Sequence, residues 1–349
     1  LHRCLGAPKH LGRHRPRLVR MKAADPDLII VREMLQAGDN FVSGSDLAQA
    51  IGISRVAIWQ HMEKLRDRGF TFEAIRSRGY RITGRPSQLD ALIIRARLPK
   101  RDHCQIITLD TVDSTNDEAM RQASKGAEMP LVVISREQTK GRGRLGRDWL
   151  SEPNGNLYLS FVFQPQVAPE KLPTITPWIG VNLCNFLADY AAISPEVKWP
   201  NDVLVDGLKL GGILTEARLD ADRIRDLVIG CGLNLKPPQA GWQGELKGRA
   251  VALDELTPTP IDLNHFAAAL ISRLLKACRD FQRGTFTDRL AELWHRYDTL
   301  RGCEITLLHG REKITGVGHG IDHEGCLLLE IGNGPLKRFR AGEVTLAKR

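Results

Sequence analysis

KGRGRLGRDWLSEPNGNLYLSF, residues 140–161, decides between two folds. Gly141, Gly143 and Gly146 satisfy G-x-G-x-x-G, the phosphate-binding turn of dinucleotide folds, and that turn must open a helix. Here Pro153 and Asn154-Gly155 interrupt the chain, and NLYLSFVF resumes as a strand. A P-loop is excluded as well, because no Lys-Ser or Lys-Thr follows the last glycine. What remains is a mobile loop between strands. Arg142, Arg144 and Arg147 are its forks for phosphate or carboxylate, and its glycines let the backbone come close to a ligand.

Strands and helices alternate on both sides of this loop, up to about residue 300. QIITLD is a strand, STNDEAMRQASKG a capped helix ending at Gly126, and LVVIS a strand leading into the loop. A helix is expected behind Pro177 in TPWIGVNLCNFLADYAA, and NHFAAALISRLLKACRDFQRG reads as a long amphipathic helix stopped by Gly284. VLV and LKLGGILTEA flank Asp206-Gly207, a strong hairpin signal, and DLVIGCGLNL is a further strand. Lys209 sits on an otherwise apolar strand, where an ammonium drawn into the interior needs an anion. The adjacent Gly211 and Gly212 suggest that something approaches the backbone there. From Gly302 on, short strands separated by Gly-rich turns predict a small barrel.

Upstream, residues 27–83 read as helix, helix, turn, helix and hairpin. Ser45 can cap DLAQAIG, Gly52 makes the turn, and Ser54 can cap RVAIWQHMEKLRDRG, whose Ile58, Met62 and Leu65 form the buried stripe. FTFEAIRSRGYRIT supplies two strands around a basic turn. This is the layout of a winged helix-turn-helix, with Arg55, Gln60, Lys64 and Arg66 on the recognition helix and Arg76 and Arg78 on the wing directed at DNA. GRPSQLD, residues 84–90, has the composition of a linker.

The 50 Lys and Arg against 41 Asp and Glu give a net charge of +9, which suits a phosphate-bearing partner. Some of that charge sits in residues 1–20, where Arg3, Lys9, Arg13, Arg15, Arg17 and Arg20 meet no acid; the segment is expected to be a disordered extension. Seven scattered cysteines without a CxxC pair read as reduced thiols, and no apolar run approaches membrane-span length, so a soluble cytoplasmic protein is expected.

Taken together, DSTN (113–116), EQTKGRGRLGRDW (137–149), NGNLYLS (154–160), VKWPND (197–202), KLGGIL (209–214), VIGCGLN (228–234) and GEVTL (342–346) resemble the biotin protein ligase family. With the helix-turn-helix in front, the resemblance is to its two-function form, the biotin operon repressor, over nearly all of residues 27–346. It implies an α+β chain with a winged helix-turn-helix at 21–84, a central mixed α/β ligase domain at 85–300 and a small SH3-like β-barrel at 301–349. The implied reaction joins biotin to ATP as biotinyl-5′-AMP and passes the biotinyl group to a lysine of a biotin carboxyl carrier protein. The adenylate also acts as corepressor, so a homodimer on operator DNA is implied, with Mg²⁺ accompanying ATP. Residue by residue, Ser114, Thr115, Asn116 and Gln138 would read the biotin head. Arg142 and Arg144, with the amides around Gly141 and Gly143 and with Lys209, would hold the biotin carboxylate and then the α-phosphate. Arg147, Trp149, Asn201 and Asn234 would serve the nucleotide, with Trp149 folding over the loop when ligand binds. No protein residue is expected to be a standing metal ligand. A lipoate-type ligase, or a metabolite-sensing repressor without ligase activity, are the rival readings.

Overall fold

The structure, a computed structural model, describes residues 25–153, 156–220, 223–332 and 334–346. The basic segment 1–20 lies outside them. Helix α1 (Pro26–Ala37) starts behind Asp25, whose carboxylate accepts from Leu28 N. Helix α2 (Gly44–Ile51) is capped by Ser43, not by Ser45, because only the earlier hydroxyl reaches the free amides of Ser45 and Asp46. Gly52 takes the left-handed turn, and Ser54 caps α3 (Arg55–Asp67), which buries Ile58, Met62 and Leu65 as expected. The wing is the antiparallel pair β1 (Thr71–Ile75) and β2 (Gly79–Gly84).

The expected linker is not free. Asn264, 1% exposed, accepts from Asp90 N at 2.8 Å and donates to Gln88 O at 2.9 Å, while Arg85 pairs with Asp262 at 2.8 Å. Helix α4 (Ala91–Arg97) follows and has two allegiances. Leu92, Ile93 and Ala96 pack into the helix-turn-helix core, whereas Ile94 and then Leu98 pack into the central core. Arg32 of α1 donates to the carbonyls of Arg95 and Ala96, satisfying acceptors that the end of a helix leaves open.

The central sheet has the order β3-β4-β5-β9-β8-β7-β6. After β3 (Gln105–Val112), helix α5 (Thr115–Ser124) crosses over to β4 (Leu131–Gln138), and these two strands are the sheet's parallel pair. Strand β5 (Leu157–Phe163) is buried at every residue, which is why NLYLSFVF shows no polar alternation. Helix α6 (Leu172–Ala191) begins earlier than its proline suggested. Pro173 occupies the first turn and Pro177 lies inside the helix, where its missing N–H leaves the carbonyl four residues back without its helical donor. Strands β6 (Pro195–Lys198), β7 (Asp202–Val205), β8 (Leu208–Asp220) and β9 (Arg223–Leu233) complete the sheet, with Asp206 (φ 50°) and Gly207 (φ 75°) making the expected hairpin turn. Helices α7 (Leu263–Arg283) and α8 (Thr287–Tyr297) cover one face with α6, and Gly284 ends α7 in the left-handed conformation.

The last strands are β10 (Glu304–His309), β11 (Glu312–Ile321), β12 (Leu327–Glu330), β13 (Leu336–Phe339) and β14 (Glu343–Leu346). They form an antiparallel sheet in the order β13-β12-β11-β10-β14, and Ile305, Leu307, Leu329 and Val344 are continuous with the central core. Among the described residues no helix is long and apolar enough to cross a membrane.

Candidate active site

One cavity is lined by most of the ligand-binding residues singled out by the sequence. The end of β3, the start of α5 and the end of β4 form its neutral wall. Ser114, Thr115 and Asn116 are buried there, although Ser114 makes no side-chain capping bond to α5. Thr115 N and Oγ1 both donate to Gln138 Oε1, at 2.8 and 3.0 Å, and Gln138 Nε2 donates to Ser151 Oγ. Ser160 Oγ, also buried, lies 2.7 Å from Thr115 Oγ1 and 2.6 Å from Asn116 Oδ1. A wall whose side chains are neutral and interlocked by hydrogen bonds suits an uncharged polar ring.

The Gly-Arg loop is folded into a tight turn and not into an open strap. Trp149 N donates to Gly141 O at 2.9 Å, Gly143 N to Arg147 O at 2.7 Å, and Arg147 N to Arg144 O at 3.2 Å. Gly141 is sterically required: a Cβ there would lie 2.4 Å from Ser151 Oγ and 2.5 Å from Trp149 O. Trp149 lays its ring across β8 and β9, where a Cβ on Gly232 would come within 2.6 Å of it and one on Gly212 within 3.0 Å. The group approaching that backbone is therefore the chain's own indole; Gly211 instead faces the Leu233 side chain.

Most of the cavity's cations are braced by acids. Arg142 pairs with Asp117 and reaches Glu216 at 3.3 Å; the Asp117 carboxylate, with Glu216 beside it, holds the guanidinium pKa above its ordinary value. Glu216 in turn accepts from Asn116 Nδ2 at 2.6 Å, so the neutral wall and the arginine share a brace. Lys209 Nζ lies 2.8 Å from Asp202 and 5.2 Å from the Trp149 ring centre, and Arg147, largely exposed, pairs with Glu343 at 2.5 Å.

Arg144 differs. It donates to Asn201 Oδ1 at 3.3 Å and to Gly342 O at 3.4 Å, and among the described residues no carboxylate stands within ion-pair distance. Burial pushes its pKa down, opposed by the more distant Glu343 and Asp202. Lys198, at the end of β6, is in the same position: it lines the cavity partly buried, burial lowers its pKa, and it has no ion-pair partner among the described residues. A desolvated cation without a counter-ion is a demand for an anion.

Sequence reasoning missed Lys198, Asp117, Asp202, Glu216 and Glu343. The first and third were visible inside KWPND, Glu343 inside GEVTL, Asp117 directly after DSTN and Glu216 just past KLGGIL, but nothing in those motifs says which cation each acid meets. Of the expected site residues, Asn201 lines the cavity and anchors Ile213 O. The amide of Asn234 donates to Lys209 O and Val251 O and so holds the backbone beneath Lys209; the residue is not among those lining the cavity.

On the N-terminal unit, Arg55, Gln60, Lys64, Arg76 and Arg78 are exposed on α3 and the wing. Arg78 stacks on Phe41, with its guanidinium carbon 4.4 Å from the ring centre. Arg66 is partly buried, paired with Glu63 and lying over Phe72, so it is the least available of the set.

A model of the biotin/lipoate A/B protein ligase family matches residues 108–234, an HTH domain model residues 30–81, and a biotin protein ligase C-terminal domain model residues 301–346. The bifunctional ligase/repressor BirA of Bacillus subtilis is 33% identical over 312 residues, covering 89% of this chain and 95% of that protein. The protein of the same description from Escherichia coli is 30% identical over 319 residues, with the same two coverages. Among solved structures, a biotin protein ligase from Aquifex aeolicus in complex with biotin and ATP superimposes with a TM-score of 0.59 at 30% identity, over 70% of this chain and 99% of that one.

Proposed function

The chain belongs to the family of bifunctional biotin protein ligases and biotin operon repressors, and we propose how its residues divide that work. Ser114, Thr115, Asn116 and Gln138 receive the ureido head of biotin. The biotin carboxylate then lies toward Lys209 and the loop, where its oxygen attacks the α-phosphorus of ATP. The bond from that phosphorus to the bridging oxygen breaks, and the electron pair leaves with pyrophosphate. Arg144 clamps the phosphate of the resulting adenylate, Lys209 stabilises charge during the displacement, and Arg142 is held ready by Asp117 and Glu216. Arg147 is a weaker contributor to the same charge, and Trp149 closes the floor. A carrier lysine finally attacks the acyl carbon, and AMP leaves.

The observation that carries this reading is the pair Arg144 and Lys198, two partly buried cations with no carboxylate at ion-pair distance among the described residues, beside a wall rich in neutral donors and acceptors. Such a cavity fits a ligand uncharged at one end and anionic at the other. Fixed charges aimed at developing negative charge are commonly the largest contribution to catalysis of this kind. Magnesium would arrive with the nucleotide and offset the charge of its phosphates. The test is biotin-dependent exchange of labelled pyrophosphate into ATP, followed by ATP-dependent labelling of a carrier domain. Absence of exchange in the folded protein would sink the assignment.

The repressor acts as a homodimer formed on adenylate binding. Support comes from β8, whose ladder with β7 ends at Gly212 while β9 accompanies it to Asp220, so the outer edge from Leu214 onward has no strand beside it among the described residues. An unpaired edge is a ready template for a second copy. Sedimentation with and without biotin plus ATP tests this; a monomer under both conditions refutes it. The free cysteines and the operator partner support a cytoplasmic location.

A further inference from the structure

Recognition helix α3 is apolar on two faces. One is the buried stripe; on the other, Val56 is 67% and Trp59 53% exposed. An indole left in water forgoes one of the largest gains that burial offers, so an exposed one at the centre of a functional face points to an occupant. Arg55, Val56, Trp59 and Gln60 fall in the first two turns at spacings of one, four and five residues, and so form one contiguous patch behind the Ser54 cap.

The surroundings identify the occupant. Arg55, Lys64 and Arg76 are exposed, with no ion pair among the described residues, and Arg78 flanks them on the wing. The partner must therefore be anionic at its rim and apolar or hydrogen-bonding at its centre. A DNA major groove has that pattern: phosphates line both edges, and each thymine presents a 5-methyl group on the floor. The first residues of a recognition helix are also the ones that reach base edges.

We propose that Val56 and Trp59 read thymine methyl groups in the operator half-site, beside an adenine read by Gln60. The cations fix position on the backbone and carry no sequence information, so specificity rests on this apolar pair and its glutamine neighbour. The inference rests on the repressor reading and goes beyond it by naming the bases.

The experiment uses the full chain with biotin and ATP. A preferred duplex is selected from random DNA, and each thymine in it is then replaced singly by deoxyuridine, which removes only the methyl. One or two such replacements should weaken binding about fourfold each, the worth of one buried methyl-sized group. Trp59→Ala should bind more weakly and become indifferent to deoxyuridine at one of those positions, and Val56→Ala at another. Both variants should keep the melting temperature and the pyrophosphate exchange of the parent, because both side chains lie in solvent. Indifference of the parent to every replacement overturns the proposal, as does an undiminished methyl effect in both variants. A loss of self-association without DNA in Trp59→Ala would assign the patch to a protein interface and overturn it too. Failure to select any sequence would instead undo the repressor reading itself.

Discussion

On α3 and the wing, Arg55, Lys64 and Arg76 are exposed and have no ion pair among the described residues, whereas around the cavity Arg142, Arg147 and Lys209 are each braced by a carboxylate. The two groups use the same side chains for different tasks. A cation that meets a phosphate backbone gains from long reach and from released counterions, and it needs no fixed geometry. One that must face an atom changing its bonding has to be in place beforehand, and neighbouring acids hold it there. Arg144 stands between the two cases: it is positioned by neutral acceptors and, among the described residues, has no carboxylate at ion-pair distance.

Salt should separate the two groups most widely. Raising monovalent salt from about 50 to about 200 mM should weaken operator binding about a thousandfold if six or so phosphates are contacted, and Lys64→Ala should flatten the logarithmic slope by roughly one. Pyrophosphate exchange over the same range should change little, because partly buried charges are screened less. Equal salt sensitivity of the two activities would erase the distinction.

Next in size is Lys209→Ala. Removing a fixed cation from the displacement should lower adenylate formation about a hundredfold or more, while operator binding with biotinyl-5′-AMP supplied directly is largely kept. A rapid-quench measurement beside a binding titration reads both. Arg144→Gly should act differently, shortening the lifetime of bound adenylate about tenfold or more. Synthesis should fall less than retention, and unspecific lysine labelling should rise. If the variant holds the adenylate as long as the parent, Arg144 is not the clamp.

The smallest effect belongs to Asp113, at the head of DSTN. Its hydrogen-bonded pairing with Arg121 holds the carboxyl at about 2 instead of 3.8. A folded-state value below the unfolded one means that the pair stabilises above about pH 4 and that this stabilisation is lost as the pH falls toward 2. Because both side chains are substantially exposed, the contribution is at most about 1 kcal/mol. Melting curves of Arg121→Gln and the parent should therefore differ slightly at neutral pH and converge only as the pH falls to about 2.

The sequence made the helix-turn-helix, the loop and Lys209 legible because each carries a local pattern: a cap, a glycine spacing, a charge in an apolar strand; the neutral wall came only from the family resemblance. It hid what depends on distance along the chain. Arg142 meets acids 25 and 74 residues away, and nothing within one motif announces either. Trp149 filling the space over Gly212 and Gly232 was hidden for the same reason, although the glycines hinted at a visitor. The carbonyls that Asn234 meets were hidden too, because a polar residue ending a strand looks alike whether it faces a ligand or a carbonyl. ALIIRAR gave no helical stripe, since α4 is apolar on both sides.

That two-sidedness bears on how a member of this family could lose its reader. Deleting residues 25–84 leaves a chain whose first helix turns Leu92, Ile93 and Ala96 outward, toward the space that α1 had filled. Each of the two larger side chains forfeits something like 1.5–3 kcal/mol of burial, and together they make a sticky patch on an otherwise complete enzyme. Taking the front off this protein therefore uncovers an apolar face on α4, which polar residues at Leu92 and Ile93 would remove.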